Sequence, residues 1–160
     1  MTFSPELEAK FQKLLASYPR GQERSALIPL LLYAQDEVGA VTPELVAEVA
    51  QRLKLEPAQV REAASYYSLL REKQPGKYHI QICTNVSCLL TGGAALFQHA
   101  CRRLGIGNRE ATPDGEFSLA EVECLGACSW APALQVNYDY HHGMTPEKFD
   151  QLIAALKQAG

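Results

Sequence analysis

The sequence predicts an α+β (α/β) chain in two parts, a helical bundle over residues 1–75 and a mixed domain of strands and helices over residues 76–160. Three observations predict it. Apolar residues recur at helical spacing through about the first 70 positions, and the period changes to strand alternation at Tyr78. Between the two lies Lys73-Gln74-Pro75-Gly76, a turn sequence.

The elements follow in order. Leu7, Phe11, Leu14 and Leu15 form one apolar stripe on a helix from Pro5 to Ser17, which Tyr18-Pro19 ends. A second helix, from about Gln22 to Val38, carries Leu27, Leu30, Leu31 and Ala34 and stops at Gly39; Pro29 lies within about a turn of its start or shifts that start. Thr42-Pro43-Glu44 opens a third, with Thr42 as N-cap and Leu45, Val46, Val49 and Leu53 as the buried stripe. Glu56-Pro57 opens a fourth, running to about Leu69 with Val60, Ala63, Ala64 and Tyr67 facing inward. Beyond the turn, Tyr78, Ile80 and Ile82 share one strand face, and His79, Gln81 and Cys83 the other. Thr91-Gly92-Gly93 starts a helix to about Leu104 with Leu96, Ala100, Cys101 and Leu104 inward, and Gly105-Ile106-Gly107 ends it. The Pro113-Asp114-Gly115 turn leads to Phe117, Leu119 and Val122, a strand whose phase slips near Ala120 as at a bulge or split. Leu134, Val136 and Tyr138 alternate again, and Thr145-Pro146-Glu147 caps a last helix with Phe149, Leu152, Ile153 and Leu156.

Composition narrows the function classes. A chain of 160 residues, 47% hydrophobic and 21% charged, is long enough to bury a real core. Its net charge of -3 and lack of a Lys/Arg block argue against nucleic acid or an anionic membrane, leaving proteins as the expected partners. No apolar run approaches the roughly 18 residues of a spanning helix, and Met1 to Ser17 lacks the apolar core of a signal peptide. The expected location is therefore the reducing cytoplasm, where five cysteines form a disulfide framework poorly. Metal, redox chemistry or packing are left.

Four of the five form two pairs, Cys83-Thr-Asn-Val-Ser-Cys88 and Cys124-Leu-Gly-Ala-Cys128, with 35 residues between the pairs. Each pair leaves a strand and enters a loop, and loops that follow neighbouring strands can meet at one end of a sheet. Zinc ribbons usually place CxxC twice, whereas these wider intervals suit a binuclear [2Fe–2S] cluster that takes two sulfurs from each loop. Spacing leans toward iron and sulfide and leaves a structural zinc site open. Two ferric ions, two sulfides and four thiolates sum to a charge of minus two, and reduction adds one more negative charge. Hydrogen-bond donors are needed around it. The amides of Leu125-Gly126-Ala127, the hydroxyls of Thr84, Ser87 and Ser129, and the helix starting at Gly92-Gly93 are the candidates.

The remaining chemistry-bearing residues have plainer readings. Cys101 lies on an apolar helix stripe and reads as a small hydrophobe, which also disfavours a role as a fifth ligand. His79 and His99 read as surface residues of a strand and a helix, and His141-His142 as part of a polar turn. Trp130 suits shielding, docking or core packing equally. Neither pair is the CxxC of dithiol oxidoreductases, and no GxGxxG, phosphate-binding loop or nucleophile–base motif stands out, so no catalytic residue is assigned. An electron carrier without a substrate site draws its electrons from a partner.

These motifs resemble the E-type [2Fe–2S] subunit family of NADH:quinone oxidoreductase (complex I). The resemblance rests on Gly76-Lys77-Tyr78-His79-Ile80, Cys83-Thr-Asn-Val-Ser-Cys88, Thr112-Pro113-Asp114-Gly115, Glu123-Cys124-Leu125-Gly126-Ala127-Cys128 and Ala131-Pro132, and runs over nearly the whole chain. It implies a helical bundle on a thioredoxin-like ferredoxin domain, with one [2Fe–2S] cluster on Cys83, Cys88, Cys124 and Cys128. It also implies a partner of the flavin- and NADH-binding type that carries FMN and oxidises NADH, beside further peripheral-arm proteins of complex I on the cytoplasmic side of the inner membrane, without insertion into it. NAD-reducing hydrogenases and NAD-dependent formate dehydrogenases have similar components, and the Thr-Asn-Val-Ser filling looks more like the respiratory branch. Three features depart from the family pattern: Glu62-Ala-Ala-Ser-Tyr-Tyr67 where Gly-Val-Ala-Thr-Phe-Tyr is common, Ser129-Trp130 in place of smaller residues, and no C-terminal extension after Gly160.

Overall fold

The computed structural model describes residues 2–67 and 69–159. The chain divides into two compact units, Met1–Gln74 and Pro75–Gly160, each with its own apolar core.

The first unit contains α1 (Pro5–Ala16), α2 (Leu27–Val38), α3 (Pro43–Leu53) and α4 (Pro57–Tyr66). Proline opens α1, α3 and α4, where a missing N–H costs nothing and φ is already helical. Ser4 caps α1 by accepting the Leu7 N–H at 3.2 Å, and Thr42 caps α3 by accepting that of Leu45 at 3.3 Å. Gln59 reaches back to accept the Glu56 N–H at 3.0 Å at the start of α4. Phe11, Leu30, Leu31, Leu45, Val49 and Val60 are fully buried between these helices.

Two expectations shift here. The helix expected from Gln22 begins as a 3-10 turn over Glu23–Ala26 and becomes α-helical only at Leu27. Pro29 then falls in the first turn, where its N–H would have had no partner anyway. The fourth helix ends at Tyr66, short of Leu69; Ser68, inside the expected span, lies outside the described residues. Tyr67 turns to extended backbone and is exposed, Ala63 is half-buried, and only Val60 and Ala64 keep the expected burial. Tertiary hydrogen bonds take over at that point. The buried Gln35 amide donates to Leu69 O at 3.0 Å and accepts the Arg71 N–H at 2.6 Å, while Val41 N–H donates to Arg71 O at 2.7 Å.

The second unit runs β1 (Tyr78–Cys83), α5 (Val86–Leu90), α6 (Gly93–Leu104), β2 (Glu110–Ala111), β3 (Phe117–Val122), β4 (Leu134–Val136), β5 (Asp139–His141) and α7 (Pro146–Ala159). Its sheet has the order β2-β3-β1-β4-β5, with β1 and β3 parallel and every other pair antiparallel. Ile80, Ile82, Leu96, Ala100, Phe117, Leu119, Leu134, Phe149 and Ile153 form the core that α6 and α7 share with the sheet. Among the described residues, no helix is long and apolar enough to cross a membrane.

The sheet corrects the strand readings. No bulge breaks β3 at Ala120, because Phe117 to Val122 pair with Tyr78 to Cys83 in unbroken register. A strand between two others in a covered sheet buries both faces, so its apolar pattern need not alternate. For the same reason His79 is buried rather than a surface residue, with Nδ1 2.8 Å from the hydroxyl of Ser118, its register partner. The single strand expected through Tyr138 is a hairpin. Asn137 adopts φ +55°, donates its N–H to His79 O at 2.8 Å and accepts the His79 N–H at 2.9 Å, which leaves Tyr138 exposed at the turn. His141 accordingly belongs to β5 instead of a polar turn.

Candidate metal centre

The site forms where parallel β1 and β3 end together. Cys83, the last residue of β1, pairs in register with Val122, the last of β3, and Thr84 N–H extends the pairing by donating to Val122 O at 3.2 Å. Both cysteine loops therefore leave the same end of the sheet. After Cys83 the chain turns into the short α5, which sequence periodicity does not reveal in five residues; the Asn85 side chain accepts the Val86 N–H at 2.7 Å at its start. Cys88 lies on this helix, and Thr91 closes it by donating its hydroxyl to Ser87 O at 2.8 Å.

Gly93 makes this arrangement possible. A Cβ there would lie 2.6 Å from Cys83 O and 2.8 Å from Cys88 O, so a larger residue would push α6 off both cysteines. The helix start at Gly92-Gly93 thus lies against the backbone of both cysteines of the first pair.

The four cysteines divide into two environments. Cys83 and Cys88 are buried, packed among Val122, Ala127 and Ala133 with Leu125 and Ala131 at the edge. Cys124 and Cys128 are exposed. Burial pushes the Cys88 thiol above its ordinary value; neighbouring Cys83 and the charge of Cys128 act in the same direction, against a hydrogen bond from the Ala133 backbone. Cys124 stands on the loop after β3, and its Sγ accepts the Gly126 N–H at 3.2 Å. Among the described residues no three His, Cys, Asp or Glu side chains are gathered around a point that could hold a single ion.

The donor set fits a binuclear cluster. Four soft thiols come two from each loop, a backbone N–H is already turned toward the Cys124 sulfur, and Gly126, at φ +73°, holds the left-handed conformation that turns it there. Of the candidate donors, the 125–127 amides are thereby represented by Gly126.

Trp130 and His142, with Tyr140, which sequence reasoning did not single out, complete the surroundings. Cys128–Trp130 forms a 3-10 turn, and the exposed Trp130 ring stacks on His142 with centroids 5.3 Å apart. Gly143 N–H donates to Trp130 O and Met144 N–H to Pro132 O, both at 2.9 Å. Tyr140, on the edge strand β5, donates its hydroxyl to Leu125 O at 3.0 Å. No periodic signal marks Tyr140 or His142, because their role comes from where the hairpin folds back. Elsewhere, His99 faces Asp150 at 3.0 Å, and Cys101 is half-buried against the core with its thiol pushed up by burial.

Comparison with known proteins supplies the family. The thioredoxin-like [2Fe–2S] ferredoxin family model matches residues 11–157. An E-type NADH-quinone oxidoreductase component of Rhizobium meliloti is 43% identical over 99% of this chain and 91% of its own length. NADH-quinone oxidoreductase subunit 2 of Thermus thermophilus is 39% identical over 98% of this chain and 87% of its own. An NAD+-reducing [NiFe]-hydrogenase structure shares the fold, with a TM-score of 0.68 and 24% identity over 84% of this chain and 23% of that one. With its cysteines on two loops at one end of a mixed sheet and nearly its whole length matched, the chain belongs to the thioredoxin-like [2Fe–2S] ferredoxin family.

Proposed function

We propose that this chain is the [2Fe–2S] electron-transfer subunit of an NADH-quinone oxidoreductase, holding its cluster on Cys83, Cys88, Cys124 and Cys128. The observation that carries the ligand assignment is the parallel register of β1 and β3, which releases both cysteine loops at one sheet end. Near-full-length relatives named as subunits of NADH-quinone oxidoreductase support the parent complex. When bound, the cluster supplies one-electron chemistry, one electron entering and one leaving. The chain's residues bury Cys83 and Cys88 in an apolar shell and present Cys124 and Cys128 toward the surface, where a redox partner can approach. That partner, on this reading, is the protein that carries FMN and oxidises NADH, within a peripheral arm on the cytoplasmic side of the membrane. The hydrogenase likeness, at 24% identity, concerns the fold and favours no second parent complex.

A structural zinc site would gather its donors around one ion, whereas a [2Fe–2S] cluster shares them between two irons. Metal analysis with visible and EPR spectra separates the two. Two iron and two sulfide per chain, with an EPR signal on one-electron reduction, are expected. A colourless, zinc-loaded, EPR-silent protein would overturn the proposal. Co-purification from the native host tests the partner: an FMN-containing NADH-oxidising protein is expected with this chain.

A further inference from the structure

The geometry points to Tyr140 as a positioning residue that sets how strongly a backbone amide donates to the Cys124 sulfur. The inference rests on Cys124 being a cluster ligand, as proposed above.

Leu125 C=O and Gly126 N–H belong to one peptide group. That group is planar and trans, so its oxygen and its hydrogen point in opposite directions and turn together. The Tyr140 hydroxyl donates to the oxygen at 3.0 Å, and the hydrogen points at Cys124 Sγ with the nitrogen 3.2 Å away. The three groups form a chain from phenol through peptide to sulfur. Gly126, at φ +73° and without a Cβ, has the backbone freedom to let this peptide take other orientations. An outside anchor is what fixes its direction. Tyr140 provides one from β5, the edge strand of the sheet, and Gly143 N–H bound to Trp130 O holds the far end of the same loop.

Two physical effects act along this chain. The hydroxyl restrains the peptide so that its N–H stays on the sulfur, and donation to the carbonyl polarises the peptide, making the N–H a stronger donor. An N–H on a ligand sulfur stabilises the reduced, more negative cluster more than the oxidised one, which raises the reduction potential. Tyr140 is about half exposed, so without its hydroxyl water can solvate Leu125 O but cannot hold the peptide in one orientation.

Tyr140→Phe removes the hydroxyl and keeps the ring. The expected result, in cluster-loaded full-length protein, is a reduction potential shifted below wild type and an altered visible circular dichroism spectrum, with an unchanged melting temperature. Tyr33→Phe, on α2 in the other unit, should match wild type in all three. A Tyr140→Phe protein with the wild-type potential would overturn the role. Resonance Raman reads partly loaded protein, so a variant that loads poorly is still decided: iron–thiolate stretching bands unshifted from wild type would also overturn it. If instead the wild type binds no [2Fe–2S] cluster, or Cys124→Ala keeps the wild-type spectrum, the ligand reading fails and Tyr140's role fails with it.

Discussion

Single residues decide whether the site can form. Gly93 is the clearest case, since the contacts its Cβ would make are with backbone carbonyls of Cys83 and Cys88, which cannot rotate away as a flexible side chain could. Gly93→Ala should destabilise the second unit by roughly 1–3 kcal/mol, the usual range for overpacking, and weaken cluster retention; denaturant unfolding and absorbance at the cluster band check both. For the proposed ligands the expectation is sharper. Alanine at Cys83, Cys88, Cys124 or Cys128 should abolish or destabilise the cluster spectrum, while Cys101→Ala leaves it unchanged, because Cys101 packs at the edge of the core on α6. A normal spectrum in Cys124→Ala would reject the ligand set. The cysteine pairs are legible in sequence because ligand chemistry needs particular atoms at particular spacings. Tyr140 was not legible, because a phenol bound to a carbonyl 15 residues away leaves no local pattern.

At the scale of elements, α1 and α3 are joined by an ion-pair cluster. Arg52 grips both carboxylate oxygens of Glu8, at 2.6 and 2.7 Å, holds Glu48 at 2.7 Å, and lies over the Phe3 ring at 4.8 Å and the Phe11 ring at 5.4 Å. Its hydrogen bonds hold Glu8 and Glu48 below the ordinary 4.5, although Glu8 is well exposed to solvent. Lowered carboxylate values mean that this stabilisation is fully present above about pH 4.5 and is lost as pH falls through the lower folded values. Arg52→Met should therefore lower the stability of the first unit at neutral pH and flatten its fall below pH 4.5. Melting temperatures of both proteins across that window provide the check, and parallel curves would discount the cluster. Helix starts were legible at this scale, since Pro5, Pro43 and Pro57 with their caps act locally. The end of α4 was not, because Gln35 donates to Leu69 O and accepts from Arg71 N–H, more than 30 residues away.

For the whole molecule, the two units have separate apolar cores, one centred on Leu30, Leu45 and Val60 and the other on Ile80, Leu119 and Phe149. We expect residues 75–160 expressed alone to fold and take up a cluster with the full-length visible spectrum. Failure to fold would show that the second core needs the first unit. In the first unit, Leu30→Ala should cost about 2–5 kcal/mol, as for a fully buried leucine, and leave that spectrum unaltered.

By itself the sequence indicated the change from helical to strand period near Pro75, the proline-marked starts of several helices, and two cysteine pairs whose spacing leans toward a binuclear cluster. Each depends on residues close together in the chain, where backbone propensity and ligand spacing act. The tertiary structure decided which strands are neighbours, and with that the burial of His79, the unbroken β3, the hairpin at Asn137 and the meeting of the two cysteine loops. Burial on both faces of a central strand removes the alternation that would reveal it. A hydrogen bond such as that from Tyr140 to Leu125 exists only once the sheet has brought its edge strand back beside the loop.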